Sequence, residues 1–123
     1  MKRLMISSFA LILAAGSALA AAPKTAEGTG GAMLTNAEGM TLYTFDKDTK
    51  GVSNCDADCL ANWPAAVADA GDKAEGDFAI IDRADGTKQW TYKGMPLYTF
   101  VKDTAAGEVK GDGLKDVWHV ARP

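Results

Sequence analysis

The sequence predicts a mainly β protein: a single small domain of two pseudo-repeats built on β-hairpins or a meander, with one short cysteine-bearing helix. Three observations lead there. The stretch "GMTLYTFDKDT" (39–49) returns as "GMPLYTFVKDT" (94–104), nine of eleven positions identical at an offset of 55 residues. Short runs of apolar, aromatic and β-branched residues alternate with turns containing Gly, Asp or Asn. Helix-period runs are scarce after the N-terminal segment.

Residues 1–20 have the layout of a secretory signal peptide: Lys2 and Arg3, an apolar segment from Leu4 to Ala15, then the small-x-small Ala18-Leu19-Ala20. The apolar run is shorter than the roughly 20 residues a membrane-spanning helix needs. Cleavage is expected after Ala20, with Ala22 as the competing position. It leaves 103 residues, enough for one modest core, and takes the formal charge from −3 to −5. An acidic surface with no cluster of Lys and Arg argues against nucleic acid as partner. Export is expected, to the periplasm first and the extracellular medium second.

Residues 21–31 are small and polar and read as a flexible lead-in. The repeat domain is expected over 32–123, with repeat one about 32–64 and repeat two about 87–123. "AMLTNAEGMTLYTF" reads as two strands around Asn36-Ala37-Glu38-Gly39, a turn in which Gly39 supplies the backbone freedom. In the second strand Met40, Leu42 and Thr44 point one way, and Thr41, Tyr43 and Phe45 the other. Both faces therefore carry bulky groups.

After a loop at 49–54, "CDADCLANWP" reads as a short helix. Asp56 caps it, Asp58 suits its first turn and Pro64 ends it. A polar connection over 65–77 leads to three strand candidates, "FAIID", "KQWTY" and "MPLYTF". They are separated by Arg-Ala-Asp-Gly and Tyr-Lys-Gly turns, which makes a β-meander. A Gly-rich loop, 105–116, precedes a last strand, "VWHVA". Trp63 and Trp118 stand at the same offset of 55, so each repeat ends its loop on a tryptophan. Halves of about 50 residues are too short to fold separately, so they should pack as one pseudo-symmetric unit.

The pairs Tyr43…Asp48 and Tyr98…Asp103, with Phe45 and Phe100 as central aromatics, resemble the Y-x4-D signature of a bacterial secreted-repeat family. Many of its members are described as predicted lipoproteins with a Y-x-aromatic-x-x-D motif. "CDADCLANWP" is similar to that family's cysteine-containing segment ending in Trp-Pro, and the likeness covers roughly 32–123. The resemblance implies export and a repeated fold; it brings no defined activity. The chain's two cysteines, Cys55 and Cys59, lie far from the cleavage junction, so no lipid-bearing N-terminal cysteine and no membrane anchor after cleavage are expected.

The duplicated residues Tyr43, Phe45, Asp48, Tyr98, Phe100 and Asp103 support two readings. In one, the aromatics fill the core and each aspartate ties a loop through turn amides. In the other, they line an aromatic cleft with one acid per half, suited to a small cationic or planar ligand. Cys55 and Cys59, in an oxidising compartment, form a structural disulfide by default.

The competing arrangement is a copper site of Cys55, Cys59 and His119, since two thiolates and an imidazole suit copper by softness. Strand alternation, however, puts His119 opposite Trp118 and Val120, on a surface or edge. Met40 and Met95, each after a glycine, are better explained by packing than by copper(I). A calcium loop starting at Asp46 and Asp48 fails, because Lys50 and Ala57 replace oxygen ligands. A single histidine and no serine in a nucleophile-elbow motif leave hydrolase chemistry without support. The expected function is an exported, non-enzymatic binding or accessory protein of the cell envelope, without cofactor. Its partner would be an unidentified small molecule or envelope protein. The alternative is a periplasmic copper or redox protein using the C-x3-C pair.

Overall fold

The computed structural model describes residues 22–123; the expected signal peptide lies outside them. The chain opens with a hairpin, β1 (Lys24–Gly28) against β2 (Gly31–Thr35), paired antiparallel from Lys24↔Thr35 to Gly28↔Gly31. Part of the stretch expected as a flexible lead-in is therefore strand. Backbone pairing holds it; β1 is largely exposed, so no apolar alternation announces it in the sequence.

The turn at 36–39 forms as expected. The Asn36 side chain accepts from the Glu38 and Met40 amides at 3.0 and 2.9 Å, and Gly39 takes the left-handed conformation (φ +85°). β3 (Tyr43–Phe45) follows, then a single helical turn, α1 (Ala57–Leu60). The Asp56 carboxylate caps α1 by accepting from the Cys59 amide at 3.0 Å.

β4 (Val67–Ala68) lies within the expected polar connection, too short to show a pattern. The meander is β5 (Phe78–Asp82), β6 (Lys88–Tyr92) and β7 (Met95–Pro96). β5 runs along the whole of β6, from Phe78↔Tyr92 to Asp82↔Lys88. Pairing with Lys88 and Gln89 goes to β4, and with Thr91 and Tyr92 to β7. The expected strand 95–100 joins this ladder only at its start; beyond it, Tyr98 bridges to Tyr43 and to Ala65. A 3-10 turn (Leu114–Asp116) leads to β8 (Trp118–Val120), which pairs with β3, Phe45 opposite Trp118.

The two repeats are related by a local pseudo-twofold, visible in matched backbone bonds. Leu42 N–H donates to Leu34 O and Leu97 N–H to Trp90 O, both at 3.0 Å. Ala121 N–H donates to Leu42 O (2.8 Å) and Ala66 N–H to Leu97 O (2.9 Å). The second pair shows an exchange. The segment that ends repeat one (62–68) lies against the motif strand of repeat two, and the end of repeat two (117–121) lies against the motif strand of repeat one. Each half is thus completed by the other's last strand.

Two apolar clusters result. One, around the pseudo-axis, contains Met33, Tyr43, Phe45, Cys55, Trp63, Tyr98, Phe100, Trp118 and Val120. The other joins Leu34, Leu42, Ala66, Ala68, Trp90, Leu97 and Ala121.

Candidate functional site

The duplicated motif sits where the two halves meet. Tyr43 and Tyr98 exchange backbone bonds, Tyr43 N–H to Tyr98 O at 2.8 Å and Tyr98 N–H to Tyr43 O at 2.9 Å. Their side chains then cross to the opposite repeat. The Tyr43 hydroxyl donates to Asp103 Oδ2 and the Tyr98 hydroxyl to Asp48 Oδ2, each at 2.6 Å.

Both aspartates also tie their own loops. Asp48 Oδ1 accepts from the Asn54 amide at 2.6 Å and Asp103 Oδ1 from the Lys110 amide at 2.8 Å. Their own amides donate to Phe45 O and Phe100 O at 3.0 Å. Each motif is a tyrosine given to the other half and an aspartate that receives the other half's tyrosine. Burial, and then the bond to the carboxylate, push both phenols well above the ordinary tyrosine value. Burial also raises the Asp48 carboxyl; its bonds from Tyr98 and Asn54 and the charge of Arg83 act in the other direction.

The central aromatics continue the symmetry as a stacked column, Phe45–Trp118–Trp63–Phe100. Ring centroids are 4.3, 3.8 and 4.2 Å apart, and the two tryptophans are within 4° of parallel. Tyr43 and Tyr98 meet this column edge-on, each 5.2 Å from a tryptophan. Such pairs contribute about 0.5–1.5 kcal/mol each beyond burial.

Tyr43, Phe45, Asp48, Tyr98, Phe100 and Asp103 are all buried. The first of the two readings describes where they are: they fill the core and tie the loops, and they do not form an open cleft. Alternation of bulky residues on both strand faces fits either reading, because a strand covered by protein and one covered by ligand look alike in sequence.

Cys55 and Cys59 are joined in a disulfide, their Cα atoms 5.1 Å apart. His119 lies on β8, about half exposed, with Nε2 2.8 Å from Asp46 Oδ2. The structure therefore does not bring Cys55, Cys59 and His119 together as a ligand set: the sulfurs are bonded to each other and the imidazole to a carboxylate. Among the described residues no three His, Cys, Asp or Glu side chains gather as a metal would require.

A surface cavity of about 550 Å³, lined by none of the six motif residues, lies between the 51–56 loop and the end of β5. Its lining includes Val52, Ser53, Cys55, Ile81, Arg83 and Ala84. Arg83 runs under the loop with its side chain only 10% exposed. Its Nη1 donates to Ser53 Oγ (2.8 Å) and Gln89 Oε1 (2.7 Å), and its Nη2 to Cys55 O (3.3 Å). Ser53 Oγ is also 2.6 Å from the Tyr98 hydroxyl, so the cavity wall is coupled to one of the two Tyr–Asp pairs. Sequence reasoning passes over Arg83, because one cation in an Arg-Ala-Asp-Gly turn reads as solvated loop. The corresponding loop of the second repeat, 105–116, has no cysteines, and its helical turn is the 3-10 turn Leu114–Asp116.

Comparison with known proteins agrees with the duplication. The model of a family described as a secreted repeat of unknown function matches twice, at residues 24–67 and 79–122. The first match starts earlier than the 32 expected from the sequence, taking in β1, and the second starts at 79 within β5. No curated protein and no solved structure matches the chain.

Proposed function

Because the chain belongs to this family of secreted repeats of unknown function, we propose that it is a non-enzymatic binding or accessory protein of the cell envelope, in which the repeated motif is scaffold and the unrepeated loops carry recognition. One observation carries this reading. The motif's polar groups are satisfied by each other inside the core, whereas the 550 Å³ cavity is walled by the cysteine-bearing segment found only in repeat one. A cavity of that size is in the range that small-molecule sites occupy. The periplasm is the proposed place of action, with the extracellular medium second; the Cys55–Cys59 disulfide suits either, since both are oxidising.

The test is a ligand-observed NMR screen of the mature protein against small acids, amines, sugars and aromatic metabolites. The reading expects at least one saturable ligand whose contacts map to residues 51–56 and 81–84, recovered chemically unchanged. Turnover lost on substituting a named residue would defeat the non-enzymatic half. A screen with no saturable ligand would defeat the binding half.

A further inference from the structure

A guanidinium has five N–H donors, and the protein accepts three from Arg83: two on Nη1 and one on Nη2. Nε is buried with no hydrogen-bond partner. The Asp85 carboxylate, half exposed, stands 3.7 Å from it, close enough for charge attraction and too far for a hydrogen bond. Nε–H and one Nη2–H are left unused, and the Nε–Nη2 edge of a guanidinium is one that a carboxylate takes side-on in a two-pronged contact. A buried cation with an unfilled donor is costly unless something completes it.

The surroundings fit an organic anion. Two carboxylates that line the cavity are already engaged: Asp82 with Lys88 Nζ at 2.6 Å, and Asp56 with the Cys59 amide at 3.0 Å. Of the main-chain N–H groups from Ser53 to Asp56, among the described residues, only that of Asn54 donates to another protein group, which leaves those of Ser53, Cys55 and Asp56 without a protein acceptor. Val52, Ile81 and Ala84 supply apolar surface, and Val52 is half exposed.

We propose that this cavity binds a small organic carboxylate, whose two oxygens take the Nε–Nη2 edge of Arg83 while its apolar part packs on Val52, Ile81 and Ala84. Asp85 is the internal competitor for that edge. It is held on its turn through Oδ1, which accepts from the Thr87 amide and hydroxyl at 3.0 and 2.6 Å. The ligand displaces Oδ2 from the neighbourhood of Nε. This rests on the binding reading above and gives it a chemical class.

Benzoate is the probe, with benzamide as its neutral and benzylamine as its cationic counterpart. Each is titrated into the full mature protein while the backbone amides and the arginine Nε–H signals are followed by NMR. Benzoate is expected to shift Arg83 Nε–H, Ser53 and Ile81 saturably, and benzamide to bind about tenfold more weakly or less. Arg83→Lys, which keeps the charge and loses the fork, should weaken benzoate about tenfold or more. Asp85→Asn should tighten it several-fold, and as a surface change it leaves the test standing if Arg83→Lys fails to fold.

The proposal is overturned if benzoate binds neither wild type nor Asp85→Asn, if benzamide binds equally well, or if Arg83→Lys folds and binds benzoate unchanged. Binding of benzylamine or benzamide alone at these residues would remove the carboxylate and keep the binding reading. No binding by these probes, together with an empty screen, would remove both.

Discussion

The Tyr43 hydroxyl lies 2.6 Å from Asp103 Oδ2, a partner 60 residues away in the other repeat, and Tyr98 makes the matching bond to Asp48. This reciprocity gives the duplication a physical reason. A tyrosine and an aspartate on one motif are separated along the chain, and each finds its complement only in the second copy. Two copies make two buried hydrogen bonds that neither half makes alone. The same axis passes between Trp63 and Trp118, and the last strand of each repeat crosses it.

The pairing forecasts a specific coupling. Tyr43→Phe removes a hydrogen bond to a carboxylate and also the acceptor of the Gly111 amide, at a cost of about 1.5–3 kcal/mol. Asp103→Asn should cost a similar amount, and the double variant clearly less than the sum, because both changes break one bond. Tyr43→Phe with Asp48→Asn should come closer to additive. Urea unfolding of the two cycles measures this; equal coupling in both would mean the bonds are not separate pairs.

Stability should also fall at high pH. In the unfolded chain each tyrosine ionises near its ordinary value of 10.0, while folded Tyr43 and Tyr98 hold their protons to higher pH. The contribution is full below pH 10 and is lost as pH rises beyond it, by about 1.4 kcal/mol per pH unit for each tyrosine. Tyr43→Phe should remove one tyrosine's share of the slope. Asp48 acts in the same sense at the acid end: its raised carboxyl gives stability that is full below the ordinary 3.8 and is lost as pH rises through the folded value. Wild type should therefore exceed Asp48→Asn by more at pH 3 than at pH 7. Denaturant curves across both ranges decide it.

Gly111 packs directly against the aromatic column. A Cβ there would lie 2.5 Å from a Trp63 ring carbon and 3.0 Å from Phe100, both within the stacked column. Gly111→Ala should destabilise by about 1–3 kcal/mol through overpacking and alter the near-ultraviolet circular dichroism of the tryptophan pair. Unchanged stability with an unchanged spectrum would show that the column gives way easily.

Much of the fold was legible in the sequence, and the misses have a common cause. β5 and β6 match the expected runs "FAIID" and "KQWTY", because each is a five-residue run carrying aromatic and β-branched residues between turn residues. The Asp56-capped turn was legible from its cap. β1 and β4 were missed because one is largely exposed and the other only two residues long, so neither carries a periodic apolar signal. The repeat makes the six motif residues stand out in the sequence, but nothing there names the partners they take. An aspartate five residues past a tyrosine is as compatible with a bond within one copy as with one across copies, and only the antiparallel crossing at Tyr43 and Tyr98 decides. Arg83 carried no signal, since its role comes from loops that meet it in space.

The exchange of last strands leads to a further expectation, about the chain between the halves. The connection between β4 and β5, residues 69–77, is largely exposed, and Asp69 and Asp72 bond mainly to each other: Asp72 N–H to Asp69 O at 3.0 Å and Asp69 N–H to Asp72 Oδ2 at 2.7 Å. The contacts joining the halves lie elsewhere, in the Tyr–Asp pairs, the stacked rings and the crossed strands. Cutting this connection, at a protease site placed near Gly71, should leave both fragments associated and the tryptophan spectrum native. The separated fragments should each be unfolded, because each lacks the strand and the hydrogen-bond partner that the other supplies. Remixing them should restore the native spectrum with a concentration dependence that the intact chain does not show. A fragment that folds alone would mean that the reciprocal contacts decorate two self-sufficient repeats rather than build one domain.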